Sequence, residues 1–117
     1  MTAKVISLAK HDNGLPRELS AERCVEWARE LLAQGGRVQF AAHSFERMEE
    51  REITATQALT VLRRGELTAG PDWCPEFENW KFTMRADTAG QRVSVGAAIG
   101  VDPLMSGECV FVITVFA

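Results

Sequence analysis

The first strong hydrophobic pattern along the chain predicts an amphipathic helix over residues 21–34. Apolar side chains recur there at helical spacing, and most of the charged side chains fall on the other side of the helical wheel. Ser20 can cap the free N–H groups of the first turn, and Gly35 begins a glycine pair that readily adopts the left-handed conformation of a helix end. Residues 1–19 are rich in turn formers, so we expect a short arm with one candidate strand over residues 5–8.

Two shorter helices are predicted after a short strand over residues 37–42. Residues 44–52 are dense in helix formers, with Phe45 and Met48 on the side expected to be buried. A capping-box sequence at the start and a glycine at the end delimit a third helix over residues 54–64.

The second half of the chain changes to the period of two that is typical of strands. Apolar and polar side chains alternate over residues 80–86 and again over residues 93–101. Residues 109–116 are nearly all apolar, which predicts a central strand that is covered on both faces. Pro71 and Pro75 indicate a loop before this sheet.

The order of these elements favours an α+β fold. Helices come first and strands joined by tight turns follow, which is typical of N-terminal helices packed on an antiparallel β-meander sheet. We expect three to five strands. Residues 1–36 are predicted to form an arm and an amphipathic helix that pack on the same domain, and residues 37–117 to form the α+β domain itself.

Length and charge narrow the classes of function. A chain of 117 residues lies in the range of a single domain. Its formal net charge is −3, and residues 37–117 carry eight Lys/Arg against eleven Asp/Glu, which is again −3. Because nucleic-acid binding depends strongly on the neutralisation of phosphates, this acidic balance argues against a general nucleic-acid binder. The net charge does not exclude a local basic patch that contacts RNA.

The sequence shows no membrane span and no secretion signal. No apolar run approaches the roughly 20 residues that a membrane helix needs, and the first ten residues lack the apolar core of a signal peptide. Cys24, Cys74 and Cys109 are far apart, and neither histidine lies near a cysteine at metal-ligand spacing. We therefore expect a cytoplasmic protein with reduced thiols, no metal, no cofactor and no contact with a membrane.

One segment contains residue types that suit phosphodiester chemistry without a metal. If a helix starts near residue 44, Arg47 and Arg51 lie one turn apart on one face, and His43 lies four residues before Arg47. A histidine exchanges protons near neutral pH, and guanidinium groups can hold a phosphate in the transition state. The alternative is structural, because Glu46 and Glu50 can pair with these side chains as ordinary surface charges.

A resemblance to a bacterial family supports the chemical interpretation. It rests on the segments His43-x-x-x-Arg47-Met48-x-x-Arg51-x-Ile53-Thr54, Leu62-Arg63-Arg64-Gly65-Glu66 and Val112-Ile113-Thr114-Val115-Phe116. These segments resemble the family called domain of unknown function 4258, over roughly residues 38–117. The resemblance implies a fold like that of the RelE and BrnT toxins, with helices beside an antiparallel sheet.

The resemblance also implies roles for individual residues. His43 would match the family's histidine, Arg47 and Arg51 its two arginines, and Thr114 its late threonine. On the residues themselves, Arg85 and Thr114 are weaker candidates for binding substrate from the face of the sheet.

The chain departs from the family pattern at two positions. The family usually has glycine where this chain has Glu52, and tyrosine where this chain has Phe116. A ribonuclease that depends on a phenolic hydroxyl would lack that group.

Two functions follow as hypotheses. The first is a toxin-like, metal-independent endoribonuclease or a degenerate relative, with His43 as general acid/base and Arg47 and Arg51 as phosphate ligands. The second is a non-catalytic protein-interaction module, either a homodimer or the partner of an antitoxin-like or immunity protein. A positive cleft around the three side chains would favour the first hypothesis, and pairing with neighbouring glutamates the second.

Overall fold

The computed structural model describes residues 10–35, 37–102, 104 and 107–117. The candidate strand over residues 5–8 lies outside them. The described elements are, in chain order, α1 (Ala21–Ala33), β1 (Val38–Phe40), α2 (Ala42–Arg51), α3 (Ala55–Arg64), β2 (Glu66–Cys74), β3 (Asn79–Thr88), β4 (Gln91–Val101) and β5 (Glu108–Phe116).

The five strands form one mixed sheet in the order β1-β5-β4-β3-β2. Strands β2 to β5 form an antiparallel meander, but β1 pairs in parallel with β5, with Val38 opposite Val110. The α+β prediction is thus confirmed, whereas the prediction of a purely antiparallel sheet is wrong. The reason lies in the connection, since α2 and α3 separate β1 from the meander and allow a parallel pairing that no hairpin permits.

The predicted helix starts correspond to real capping contacts. Ser20 Oγ accepts a hydrogen bond from the N–H of Arg23 at the start of α1. Thr54 and Gln57 form the reciprocal capping box at the start of α3. Each contact satisfies backbone N–H groups that have no partner inside the helix.

The helices cover one face of the sheet and bury the core there. Burial of each large aliphatic side chain contributes about 1.5–3 kcal/mol. The helices contribute Cys24, Ala28, Leu31, Leu32, Met48, Ala58, Val61 and Leu62, and the strands contribute Phe82, Met84, Val93, Val95, Ala97, Ile99, Val110, Val112 and Val115.

Helix α2 begins earlier than its composition predicts. It starts at Ala42, and this places Ser44 and Met48 in the interior. Phe45 is 55% exposed, so the prediction that it is buried is wrong. Ser44 is satisfied in the interior because its Oγ donates to the carbonyl of Ala41 at 2.6 Å.

The segment predicted as a loop before the sheet is the edge strand β2. Pro71 lies within this strand, beside interruptions in the pairing register on both sides of Ala69. An edge strand tolerates proline, since the missing N–H can point away from the sheet. The prolines therefore predicted a loop where the structure has an edge strand.

The other face of the sheet has no helix over it among the described residues, which corrects the prediction that β5 is covered on both sides. A register shift in β4–β5 pairing leaves Ile113 without a partner, and Ile113 and Thr114 both line cavities on this side. We call this surface the open face; it comprises Asp72, Lys81, Thr83, Gly96, Ala98, Gly100, Phe111, Ile113 and Thr114, with Phe77 and Phe116 at its margins, and its centre at Ala98 and Gly100 is buried beneath the flanking side chains.

The segment before α1 closes one end of the core. The His11 ring stacks on Trp73 with centroids 3.5 Å apart, and Trp73 meets Trp80 edge to face. Trp80 Nε1 donates to the carbonyl of Pro16 at 2.9 Å, and Leu15 is buried beside this cluster. These contacts hold residues 11–16 against β2 and β3.

Candidate functional site

The first turns of α2 bring His43 and Arg47 together. Arg47 Nε donates to His43 Nε2 at 3.4 Å, as the four-residue spacing on a helix allows. Ala41, at the N-cap, provides no side-chain hydrogen bond to the helix start. Backbone N–H groups there remain available to an anion.

The carboxylates of Glu46 and Glu50 offset much of the positive charge at the start of α2. Glu46 Oε2 lies 3.7 Å from His43 Nδ1, and Glu50 Oε2 lies 3.3 Å from Arg47 Nη1. The side chains of His43 and Arg47 are 59% and 40% exposed, and water screens such pairs to tenths of a kcal/mol. The arrangement resembles an ordinary charged helix surface.

None of the three predicted catalytic side chains lines the cavities of about 250 to 820 Å³ found among the described residues. Arg51 lies exposed in the last turn of α2, and no described hydrogen bond or ion pair involves it. Ala41, at the start of α2, does line one of these cavities, which has a volume of about 370 Å³.

Arg85 belongs to a separate polar cavity of about 390 Å³ at the C-terminal end of α3. It pairs with Glu66 at 3.3 Å, and Arg92 pairs with Asp87 at 3.0 Å. The hydrogen bond from Arg92 lowers the pKa of Asp87 below its usual value. Arg64 also lines the cavity, but the two carboxylates and the negative end of the helix dipole weaken its attraction for an anion.

Thr114 lies on the side of the sheet away from α2. It lines a shallow cavity of about 250 Å³ with Thr83 and Gly96 on the open face. Helix α2 packs through Met48 into the core on the opposite side. The structure thus brings His43 and Arg47 together but places Arg85 and Thr114 elsewhere.

The open face has a floor of very small residues. A Cβ added at Gly100 would lie 3.1 Å from the ring of Phe111 and 3.2 Å from the Cβ of Asn79. A Cβ added at Gly96 would lie 2.9 Å from the Cγ2 of Thr114. Side chains from the flanking strands therefore lie across the glycines and form a shallow trough, one part of which is a cavity of about 370 Å³.

Aromatic side chains border this trough without being buried. Phe77 is 62% exposed, with the Lys81 ammonium 5.4 Å from its ring centroid, and Phe116 is 41% exposed. The sequence signal for this surface was the alternation of Gly96 and Gly100 with apolar neighbours, which indicates close packing without showing what packs there.

No protein-family model, curated protein or solved structure matches the chain. The resemblance to the domain of unknown function 4258 family therefore stays a prediction. Glu52, where the chain departs from that family's pattern, has φ 57° and ψ 42° at the end of α2, a conformation that favours glycine.

The part of the chain that the structure describes contains neither a metal site nor a membrane-spanning helix. No cluster of three or more His, Cys, Asp or Glu side chains there could hold a metal ion. None of its helices is long and apolar enough to cross a membrane.

Proposed function

We propose that this protein is a non-catalytic interaction module that forms a homodimer through its open face. The observation that carries the proposal is a sheet face without a helix over it among the described residues, on which Phe77 and Phe116 are exposed and Phe111 and Ile113 are only partly buried. Contiguous exposed apolar surface on a soluble domain is typical of interaction sites.

The open face has the size that a dimer interface needs. Strands β2 to β5 have nine to eleven residues each. Four strands about 4.8 Å apart, with about 3.3 Å per residue, give a surface of about 20 by 30 Å. A standard interface buries about 800 Å² on each partner, which a corrugated surface of these dimensions can supply.

The composition of the open face suits a second copy of the same chain. Asp72 and Lys81 are opposite each other in the β2–β3 pairing, so this surface carries both signs of charge beside its apolar trough. A symmetric dimer uses the same patch twice, and a patch of mixed charge does not repel its copy. Two sheets can then pack face to face about 10 Å apart.

Sedimentation velocity over a range of protein concentrations tests the proposal. We expect a dimer with a micromolar dissociation constant. The double variant Phe77→Lys/Ile113→Lys should be monomeric, because it places two charges in the interface. Phe45→Lys is the matched control, since Phe45 is 55% exposed on the other side of the sheet and should leave the dimer intact.

Two results would contradict the dimer. The first is a wild-type chain that stays monomeric at high micromolar concentration. The second is equal dissociation by the control variant. Far-UV circular dichroism of each variant separates lost association from lost folding.

A second candidate function is metal-independent cleavage of RNA at α2. It is supported by the contact between His43 and Arg47 and by the uncapped start of the helix. RNA incubated with the protein in a chelator should then be cut, and His43→Ala should abolish the cutting. Growth of cells that express either form gives a parallel readout: equal growth and intact RNA would exclude this function.

A further inference from the structure

A groove between α1 and the start of β2 is independent of the open face. It has a volume of about 820 Å³ and follows α1 from Ala21 to Ala33. Twelve residue steps of a helix correspond to about 18 Å. The groove is therefore long enough to hold a partner helix of about three turns.

The groove has an apolar floor, with an acidic ridge along one side. Val25 and Leu67 are only partly buried beside it, while Glu22, Glu26 and Glu30 line it at four-residue intervals. All three carboxylates are exposed, and together they form an acidic ridge along α1 beside the apolar floor.

The positive charges near the groove do not cancel this ridge. Arg23 contacts Glu26 at 2.6 Å and Glu30 at 3.2 Å, but both carboxylates stay about half exposed or more. Arg29 also lines the groove, and its Nη2 is engaged by the carbonyl of Gly65 at 2.9 Å. The carboxylates therefore remain accessible to a cationic partner.

We infer that the α1–β2 groove binds a basic amphipathic helix of another protein. Apolar side chains at helical spacing would contact Val25 and Leu67, and lysine or arginine side chains beside them would face the acidic ridge. Charge complementarity selects this occupant over a second copy of the chain, whose own α1 presents the same carboxylates.

An extended peptide fits this side of the molecule less well. Strand β2 lies at the edge of the sheet, but its pairing register shifts between Leu67 and Ala69 and again between Ala69 and Asp72. Pro71 also removes one backbone donor. An added strand could not form a continuous ladder there, whereas a helix needs only side-chain contacts.

Fluorescence anisotropy with labelled synthetic helices tests the inference. The probe is a peptide of about 14 residues with leucine at positions i, i+3, i+4 and i+7 and lysine elsewhere. We expect micromolar binding to the full chain, and no binding of the same peptide with glutamate in place of lysine.

Two triple variants with the same charge change locate the binding site. Glu22→Gln/Glu26→Gln/Glu30→Gln should weaken binding at least tenfold. The matched control neutralises three exposed glutamates of α2 and should change binding less than twofold; it is Glu46→Gln/Glu49→Gln/Glu50→Gln.

A third variant tests the groove without removing its carboxylates. Ala33 is exposed at the end of α1, so Ala33→Arg should leave the fold intact and weaken binding at least fivefold. Equal weakening by the two triple variants, unchanged affinity of Ala33→Arg, or no binding of the lysine peptide at high micromolar protein would each overturn the inference. Sedimentation of the same samples reports the dimer separately.

Discussion

Gly65 should be intolerant of even one added methyl group. It ends α3 with φ −77°, so its backbone does not need the left-handed freedom of glycine. Its close neighbours require glycine instead: a Cβ would lie 2.5 Å from the carbonyl oxygen of Val61 and 2.6 Å from that of Arg85. Both are backbone atoms, which cannot rotate away as a side chain can.

The size of the effect follows from these contacts. Overpacking by a methyl group costs about 1–3 kcal/mol, and two rigid contacts place Gly65→Ala at the upper end. Alanine also restricts the unfolded chain more than glycine does, and this stabilises the folded state by about 0.4–1 kcal/mol. We therefore expect a net loss of about 2 kcal/mol, equivalent to roughly 8 °C in Tm for a domain of this size.

Urea and thermal unfolding followed by far-UV circular dichroism measure this loss. Gly90→Ala is the comparison, because Gly90 has φ +82° but no atom within 4 Å of its added Cβ. That variant should lose only the left-handed strain, about 1 kcal/mol. The reasoning fails if Gly65→Ala is as stable as the wild type or more stable than Gly90→Ala.

Two further predictions concern α1 and α2. Burial raises the pKa of Cys24 from 9.0 to about 12, so the unfolded chain releases this proton first and stability falls as pH rises above about 9. Between about pH 8 and pH 10 the wild type should lose about 1.4 kcal/mol through this thiol, and urea titrations of Cys24→Ala should lack this part of the slope. The variant should keep the part that comes from Cys109, because burial raises the pKa of that thiol to about 11. At the end of α2, Glu52→Gly should raise the stability by about 0.5–1 kcal/mol, since it relieves left-handed strain of about 1–2 kcal/mol at some cost in chain entropy. An unchanged or lower Tm would show that Glu52 is not strained.

The helices could be predicted from the sequence because their signals are local. The capping residues Ser20 and Thr54 and the apolar stripe of each helix lie within a few turns of one another. The exposure of Phe45 could not be predicted, because tertiary packing places Ser44 and Met48, four residues apart, on the buried side of α2.

The strand errors have a tertiary origin. Pro71 argues against a strand when only local preferences are considered. An edge strand tolerates proline, but the sequence does not show which strand lies at the edge of the sheet. The apolar run of β5 indicates two covered faces, but Phe111 and Ile113 face outwards on a sheet with one helical layer.

The candidate sites show the same division between local and long-range information. A four-residue spacing is enough to place His43 beside Arg47. Whether that pair faces a cleft depends on the packing of α2, and the α1–β2 groove joins residues about forty positions apart, such as Val25 and Leu67.

The parallel pairing of β1 with β5 has a consequence for synthesis on the ribosome. Val38 finds its partner only when Val110 has been made, 110 − 38 = 72 residues later. Until then the nascent chain holds α1, α2 and the early strands around a vacant slot, and contacts of such long sequence separation form slowly. We therefore expect the sheet to close only after residues 108–116 emerge from the ribosome and insert between β1 and β4.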